Sequence, residues 1–283
     1  MDSETDAHDR LLYSLKRGYP NKESDLMARR SQRPVTPWRW PGGARAAVSL
    51  TYDDGRTNHL DVAIPDLELF KFRGTFYLTH DNPYVEISID RWRAAFSRGH
   101  EIGNHSYNHP SREELSGYDA NDILAEVGAG ALWLKRNIGS DPDRSFAYPG
   151  GERAIGADNN DSDSYTKAIS RYHKVARAAG GPPNDPRKVR LPITILSASL
   201  FDTPRGFQLD DLKNYCEAAR RHGHWAVIMF HDVLGAEYAA GANQINQNVH
   251  RQFLGHLRVE PFWVAPVKEV ANYIFRCREQ PMR

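Results

Sequence analysis

Residues 46–55 read AAVSLTYDDG. The first seven are small, apolar or β-branched, the composition of a strand buried on both faces. The run then stops at two adjacent carboxylates, Asp53 and Asp54. A strand of this kind belongs in a sheet covered by helices. Two like charges at the edge of such a core need a cation, or one of them takes up a proton.

Similar runs recur on either side. GTFYLT at 74–79, EIGNHS at 101–106, SFAYPGG at 145–151, VRLPITIL at 189–196, WAVIMFHD at 225–232 and FWVAP at 262–266 all read as strands. Between them the spacing predicts helices over 59–72, 88–98, 119–137, 164–179, 209–222 and 244–258, and a closing helix from Val267 onward. The first has apolar positions at Leu60, Ile64, Leu67 and Phe70, and Pro65 kinks it or delays its start. Ser88 is the expected N-cap of the second, and Gly128 and Gly130 weaken the third. Strands alternating with helices predict a parallel sheet. A chain of 283 residues suits one α/β barrel. We place that barrel at 44–283. Residues 1–43, which end in the proline-rich RPVTPWRWPGG, are read as an extension packing on it, with Trp38 and Trp40 as anchors.

Composition excludes several classes. The apolar fraction is 40%, and 37 basic residues stand against 36 acidic ones, so there is no basic footprint for nucleic acid. No apolar run reaches membrane-spanning length. The start, MDSETDAHDR, has neither a basic n-region nor an apolar h-region. The compartment stays open between the cytoplasm and the outside with a signal already removed. Cys216 and Cys277 stand far apart without a CxxC pattern, so no cysteine zinc site or disulfide framework is indicated.

The polar clusters YDDG, GNHSYNH, YPGG and FHD all fall at the C-terminal ends of strands. In a barrel that rim is where chemistry is built. His105 and His109 are four residues apart and face one way if the segment turns helically. Imidazole suits zinc and other divalent transition metals. A carboxylate from Asp53 or Asp54 completes a three-ligand set that leaves coordination positions open. The other aspartate is then free to act as general base. His231, ending the most apolar strand, is the candidate general acid.

VSLTYDDG (48–55), HSYNH (105–109), FAYPGG (146–151) and MFH (229–231), in this order, resemble the motifs of the polysaccharide deacetylase family, the NodB-homology domain or carbohydrate esterase family 4. The resemblance covers about residues 44–280, including the closing FWVAPVKEVANYI. It implies a distorted (β/α) barrel of seven or eight parallel strands. It also implies one divalent ion, zinc first and cobalt, nickel or manganese otherwise, and hydrolysis of acetyl groups on a carbohydrate substrate. By position, the resemblance makes Asp53 the general base, Asp54, His105 and His109 the metal ligands, and His231 the general acid. Met229 would line the pocket for the acetyl methyl group, and the Gly150 N–H would face the oxyanion.

The sequence departs from the family in two places. The third motif commonly carries an arginine that orients the base, and Ala147 stands there. Arg177 is our preferred substitute, with Arg144 the other candidate. The fourth motif lacks its tryptophan, and Asp202 is the nearest candidate partner for His231. Tyr148 and Trp225 are candidates to stack on a sugar ring. The expected activity is N-deacetylation of amino sugars in a poly- or oligosaccharide. Rivals are an O-acetyl esterase of the xylan type, a small or cyclic amide hydrolase on the same scaffold, and a glycan-binding protein that kept the metal and lost turnover.

Overall fold

The computed structural model describes residues 38–191, 193–199 and 205–279. Strand β1, Ala46–Tyr52, is buried along its whole length. It pairs in parallel with β2 (Thr75–Leu78) and β7 (Trp225–Phe230). From β2 the sheet continues in parallel through β3 (Glu101–Asn104), β4 (Phe146–Ala147), β5 (Val175–Arg177) and β6 (Thr194–Leu196). A single bridge between Ser199 and Ile228 brings the end of this series back to β7. The Ser199 N–H donates to the Val227 carbonyl there at 2.8 Å. Seven parallel strands thus form the expected, nearly closed barrel. A short pair, β8 (Asp232–Leu234) with β9 (Gln244–Asn246), follows β7. The last strand, β10 (Phe262–Val264), lies along the first half of β1.

Helices cover the strands: α1 (Ile64–Leu69), α2 (Pro83–Ile87), α3 (Ile89–Ser97), α4 (Arg112–Ser116), α5 (Ala120–Asn137), α6 (Ser162–Ser170), α7 (Leu209–His222), α8 (Gln247–Val259) and α9 (Val267–Glu279). Pro65 sits in the first turn of α1, preceded by a π-helical turn at His59–Ala63. That is the late start its ring demands. Asp119 caps α5 through a capping box with Asp122, which offsets the two glycines inside it. Ser88 precedes α3, but its side chain makes no capping bond. The helix expected over 164–179 ends at Ser170, and its second half is the loop and strand β5.

The period of two along the strands sorts the residues. On β1, Val48, Leu50 and Tyr52 pack outward under the helices with Ile64, Leu67 and Phe253. Each such buried side chain contributes about 1.5–3 kcal/mol relative to exposure. Ala47 faces inward with Trp225, Val227 and Met229 of β7. The inner, odd-numbered set also holds the polar groups. The Trp225 indole N–H donates to Ser49 Oγ at 3.0 Å. Thr75 and Ser145 both donate to the buried Glu101 carboxylate, at 3.0 and 2.6 Å.

Residues 1–37 and Asp202 lie outside the described residues. Of the two expected anchors, Trp40 is buried against Trp263 and Tyr273 and donates to the Gly223 carbonyl at 3.1 Å, and the partly buried Trp38 lies beside it with its ring tilted. Cys216 and Cys277 are both free thiols.

Candidate active site

At the C-terminal rim the inward, odd-numbered positions run on as Asp53 after β1, His105 after β3, Arg177 ending β5 and His231 after β7. Alternation alone would turn Asp54 away from Asp53. Asp54 instead adopts a left-handed backbone, φ 76°, and swings its side chain back toward the same centre. Gly55 follows at φ 65°, where a Cβ would lie 2.4 Å from Val85 Cγ2. The DDG motif therefore needs its glycine for both conformation and space.

One Asp54 oxygen, Oδ1, stands 3.5 Å from His105 Nε2 and 3.5 Å from His109 Nε2. It is buried and has no hydrogen-bond partner among the described residues. These contacts are long for hydrogen bonds. They match the separation of about 3.3 Å that donor atoms keep around a tetrahedral ion with bonds of about 2.0–2.1 Å. The three ligand atoms lie within 4.8 Å of one another. His105 Nδ1 donates to the Ala147 carbonyl at 2.9 Å, which leaves the Nε2 lone pair free for a cation. The donor set fits a divalent ion on geometry and on chemistry. Burial pushes the Asp54 carboxyl up, but His105, His231 and Arg56 outweigh it and hold it well below the usual carboxylate range.

The histidines do not meet by a helical turn. The segment is a loop in which Ser106 and His109 take φ of 66° and 50°. The Ser106 hydroxyl accepts the His109 N–H at 3.0 Å.

Asp53 is 2% exposed and forms a buried ion pair with the Arg177 guanidinium. Arg177 also lies against Met229 Sδ and 5.1 Å from the centre of the Tyr77 ring. Its strand position explains the missing third-motif arginine. Ala147 of β4 and Arg177 of β5 are register partners. Arg177 thus stands one strand over from Ala147 at the same height. Arg144 is not at the site, because its guanidinium donates to the carbonyls of Ile102 and Gly139.

His231 and Gly150 line a cavity of about 330 Å³ with Asp54, His109 and Asn243. The Nδ1 of His231 is buried there without a partner among the described residues. The backbone of His231 is held by His59, whose Nε2 donates to its carbonyl at 2.8 Å. On the other side of Asp54 and His109 a cleft of about 500 Å³ is lined by Thr57, Asn58, Asn82 and the exposed ring of Tyr84.

Two expectations fail. Tyr148 is even-numbered, points outward and packs against Phe146 and Tyr165, so it presents no face to a sugar. Trp225 is fully buried at the start of β7, at the far end of the barrel. Two residues were missed. Arg56 donates to Asp54 Oδ2 at 3.0 Å and lines both cavities. Glu126 reaches the histidine loop from α5. Its signal was a carboxylate inside the buried stripe Ile123, Val127, Gly130, Leu134.

Residues 41–169 match the family model described as polysaccharide deacetylase. That match spans a little under half of the chain and makes the polysaccharide deacetylase family the one this stretch is similar to. A stretch of 93 residues is 30% identical to uncharacterized protein YlxY of Bacillus subtilis, covering 33% of this chain and 27% of that protein. The chain thus spans about a quarter of the length of that curated relative. In fold the chain is similar to a Mycobacterium smegmatis protein provisionally described as a polysaccharide deacetylase. The TM-score is 0.63 at 16% identity, over 89% of this chain and 97% of the other. It is also similar to the catalytic domain of a peptidoglycan N-acetylglucosamine deacetylase from Eubacterium rectale. There the TM-score is 0.52 at 14% identity, over 83% and 94% of the two chains.

Proposed function

We propose that this chain is a metal-dependent carbohydrate deacetylase that hydrolyses N-acetyl groups of amino sugars in an oligo- or polysaccharide. The observation that carries the reading is the pairing of Asp53 with Arg177 directly beside the Asp54–His105–His109 cluster. One carboxylate is set up for an ion, and its neighbour is kept for proton transfer.

A divalent ion, zinc by its fit to two imidazoles and a carboxylate, would supply Lewis acidity toward the acyl oxygen and acidify nearby water. The chain's own groups do the rest. Asp53 accepts a proton from the attacking water while Arg177 fixes the orientation of its carboxylate. Gly150 lines the same cavity, and its N–H would meet the acyl oxygen as it gains charge. Met229, two residues before His231 and 4% exposed, offers the methyl group an apolar floor. His231 gives a proton to the departing nitrogen, and acetate and a free amine result. The polar cleft lined by Thr57, Asn58, Asn82 and Tyr84 suits hydroxyl-rich rings.

The test is acetate release from acetylated chitooligosaccharides, with acetylated xylan as a parallel substrate, in added zinc and in chelator. The expected result is zinc-dependent release from the amino sugar, reduced about 10²–10⁴-fold by Asp53→Asn. Release from xylan alone would make the enzyme an O-acetyl esterase. No release from either by zinc-loaded protein would remove the reading.

A further inference from the structure

The loop that carries His105 and His109 cannot hold its own shape. Two of its non-glycine residues, Ser106 and His109, sit at positive φ. Each such residue costs about 1 kcal/mol or more unless its surroundings fix it. The fixing comes from one face of α5. Glu126 is 5% exposed, and its carboxylate accepts the Tyr107 N–H at 2.7 Å, the Asn108 N–H, and Asn108 Nδ2 at 2.8 Å. One residue on, the Val127 carbonyl accepts Asn104 Nδ2 at 3.2 Å. One turn further, Gly130 lets the helix touch the loop. A Cβ there would lie 2.5 Å from Asn104 Oδ1 and 2.9 Å from the Ser106 carbonyl carbon.

Three N–H groups converging on one buried carboxylate exceed what a helix needs for docking, since the apolar positions Ile123, Val127 and Leu134 already bury this face. All three belong to the two residues between Ser106 and His109. We propose that Glu126 is a positioning residue for the cation: it locks residues 107–108 so that both imidazole Nε2 atoms converge on Asp54 Oδ1. Glu126 touches neither the ion nor the substrate. It sets the entropy lost when the two histidines are brought together. The inference rests on the cation reading of the Asp54 cluster.

The experiment titrates the full chain with Zn²⁺ by calorimetry and with Co²⁺ by visible absorption, for the parent, Glu126→Gln and Asn108→Ala. Glu126→Gln keeps the shape but sets an amide N–H₂ against N–H donors. It is expected to raise the metal Kd about 10–100-fold and to change the cobalt spectrum. Asn108→Ala removes one contact of three and should raise the Kd less. If Glu126→Gln fails to fold, Asn108→Ala alone decides. A melting temperature that falls while Kd and spectrum stay at parent values would make Glu126 purely structural and overturn the inference. A parent that binds neither ion would instead overturn the cation reading beneath it.

Discussion

Replacing Arg177 by Met tests the link between fold and chemistry. The side chain is fully buried, and Asp53, its partner, is 2% exposed. Removing one member of a buried pair strands the other charge, which typically costs about 3–5 kcal/mol. Among the described residues the further cationic candidate at Asp53 is His105 Nε2, 4.0 Å from Asp53 Oδ2 and turned toward Asp54. Asp53 would also lose the guanidinium that fixes the orientation of its carboxylate, and a misplaced carboxylate is a poor base. We therefore expect Arg177→Met to lose about 3–5 kcal/mol in urea unfolding and about 10²–10⁴-fold in acetate release near neutral pH. Two further variants separate charge from packing. Arg177→Met with Asp53→Asn removes both charges and should regain most of the stability and none of the activity. Arg177→Ala with Ala147→Arg returns the guanidinium to the register partner on β4 and should restore part of both. An Arg177→Met protein within about 1 kcal/mol of the parent would refute the claim that this pair organises the site.

Gly130→Ala should destabilise the protein by about 1–3 kcal/mol in chemical denaturation, although alanine favours helix, because the methyl group collides with the Asn104–Ser106 segment. A gain in stability would show that the helix is not packed against the loop this closely. His173 donates from Nδ1 to the Arg144 carbonyl and accepts Asn104 Nδ2 on Nε2, and burial lowers its pKa from 6.5 to about 4. The unfolded chain therefore binds a proton near pH 6.5 that the folded chain refuses until about pH 4. Its stability contribution is full above 6.5 and declines between 6.5 and 4, by about 3 kcal/mol if the whole shift is expressed. His173→Gln should flatten that slope in pH-dependent urea melts. Zinc at about one hundred times its Kd should add about 2.7 kcal/mol, read as a higher Tm, and Asp54→Asn should abolish the gain.

Much of this was legible in the chain because strands buried on both faces have an unmistakable composition. β1 and β7 lie where their apolar runs predict, and α7 matches its expected span of 209–222. The candidate site was read from position: polar residues at strand ends on one rim of a barrel. What escaped depended on three-dimensional neighbours. Strand β5 is three residues long and hides in HKVARAA, which continues the preceding helical pattern. Arg177 was picked as the substitute cation but assigned to a helix, so its side-by-side relation to Ala147 was out of reach. Tyr148 was misread because the turn of the face at even-numbered positions is visible only once the strand register is known. The histidine pair was read as helical from its spacing, whereas the loop meets the same geometry with two left-handed residues that no propensity favours.

The ring of strands has a seam. Among the described residues, β7 meets the β5–β6 side only through the Ser199–Ile228 bridge and the antiparallel contact of Asn184 with Trp225. Every other neighbouring pair in the barrel follows the ladder outward from β1. This line of weakness runs between the strand that delivers Arg177 and the strand that delivers His231. Amide protons of Ser199 and Trp225 should exchange early on warming, with the rest of the barrel still intact. Loosening there would draw His231 away from Asp53 before Asp54, His105 and His109 part. If the chain is the deacetylase proposed above, heat would then end acetate release while the protein is still folded and the Asp54–His105–His109 cluster still intact.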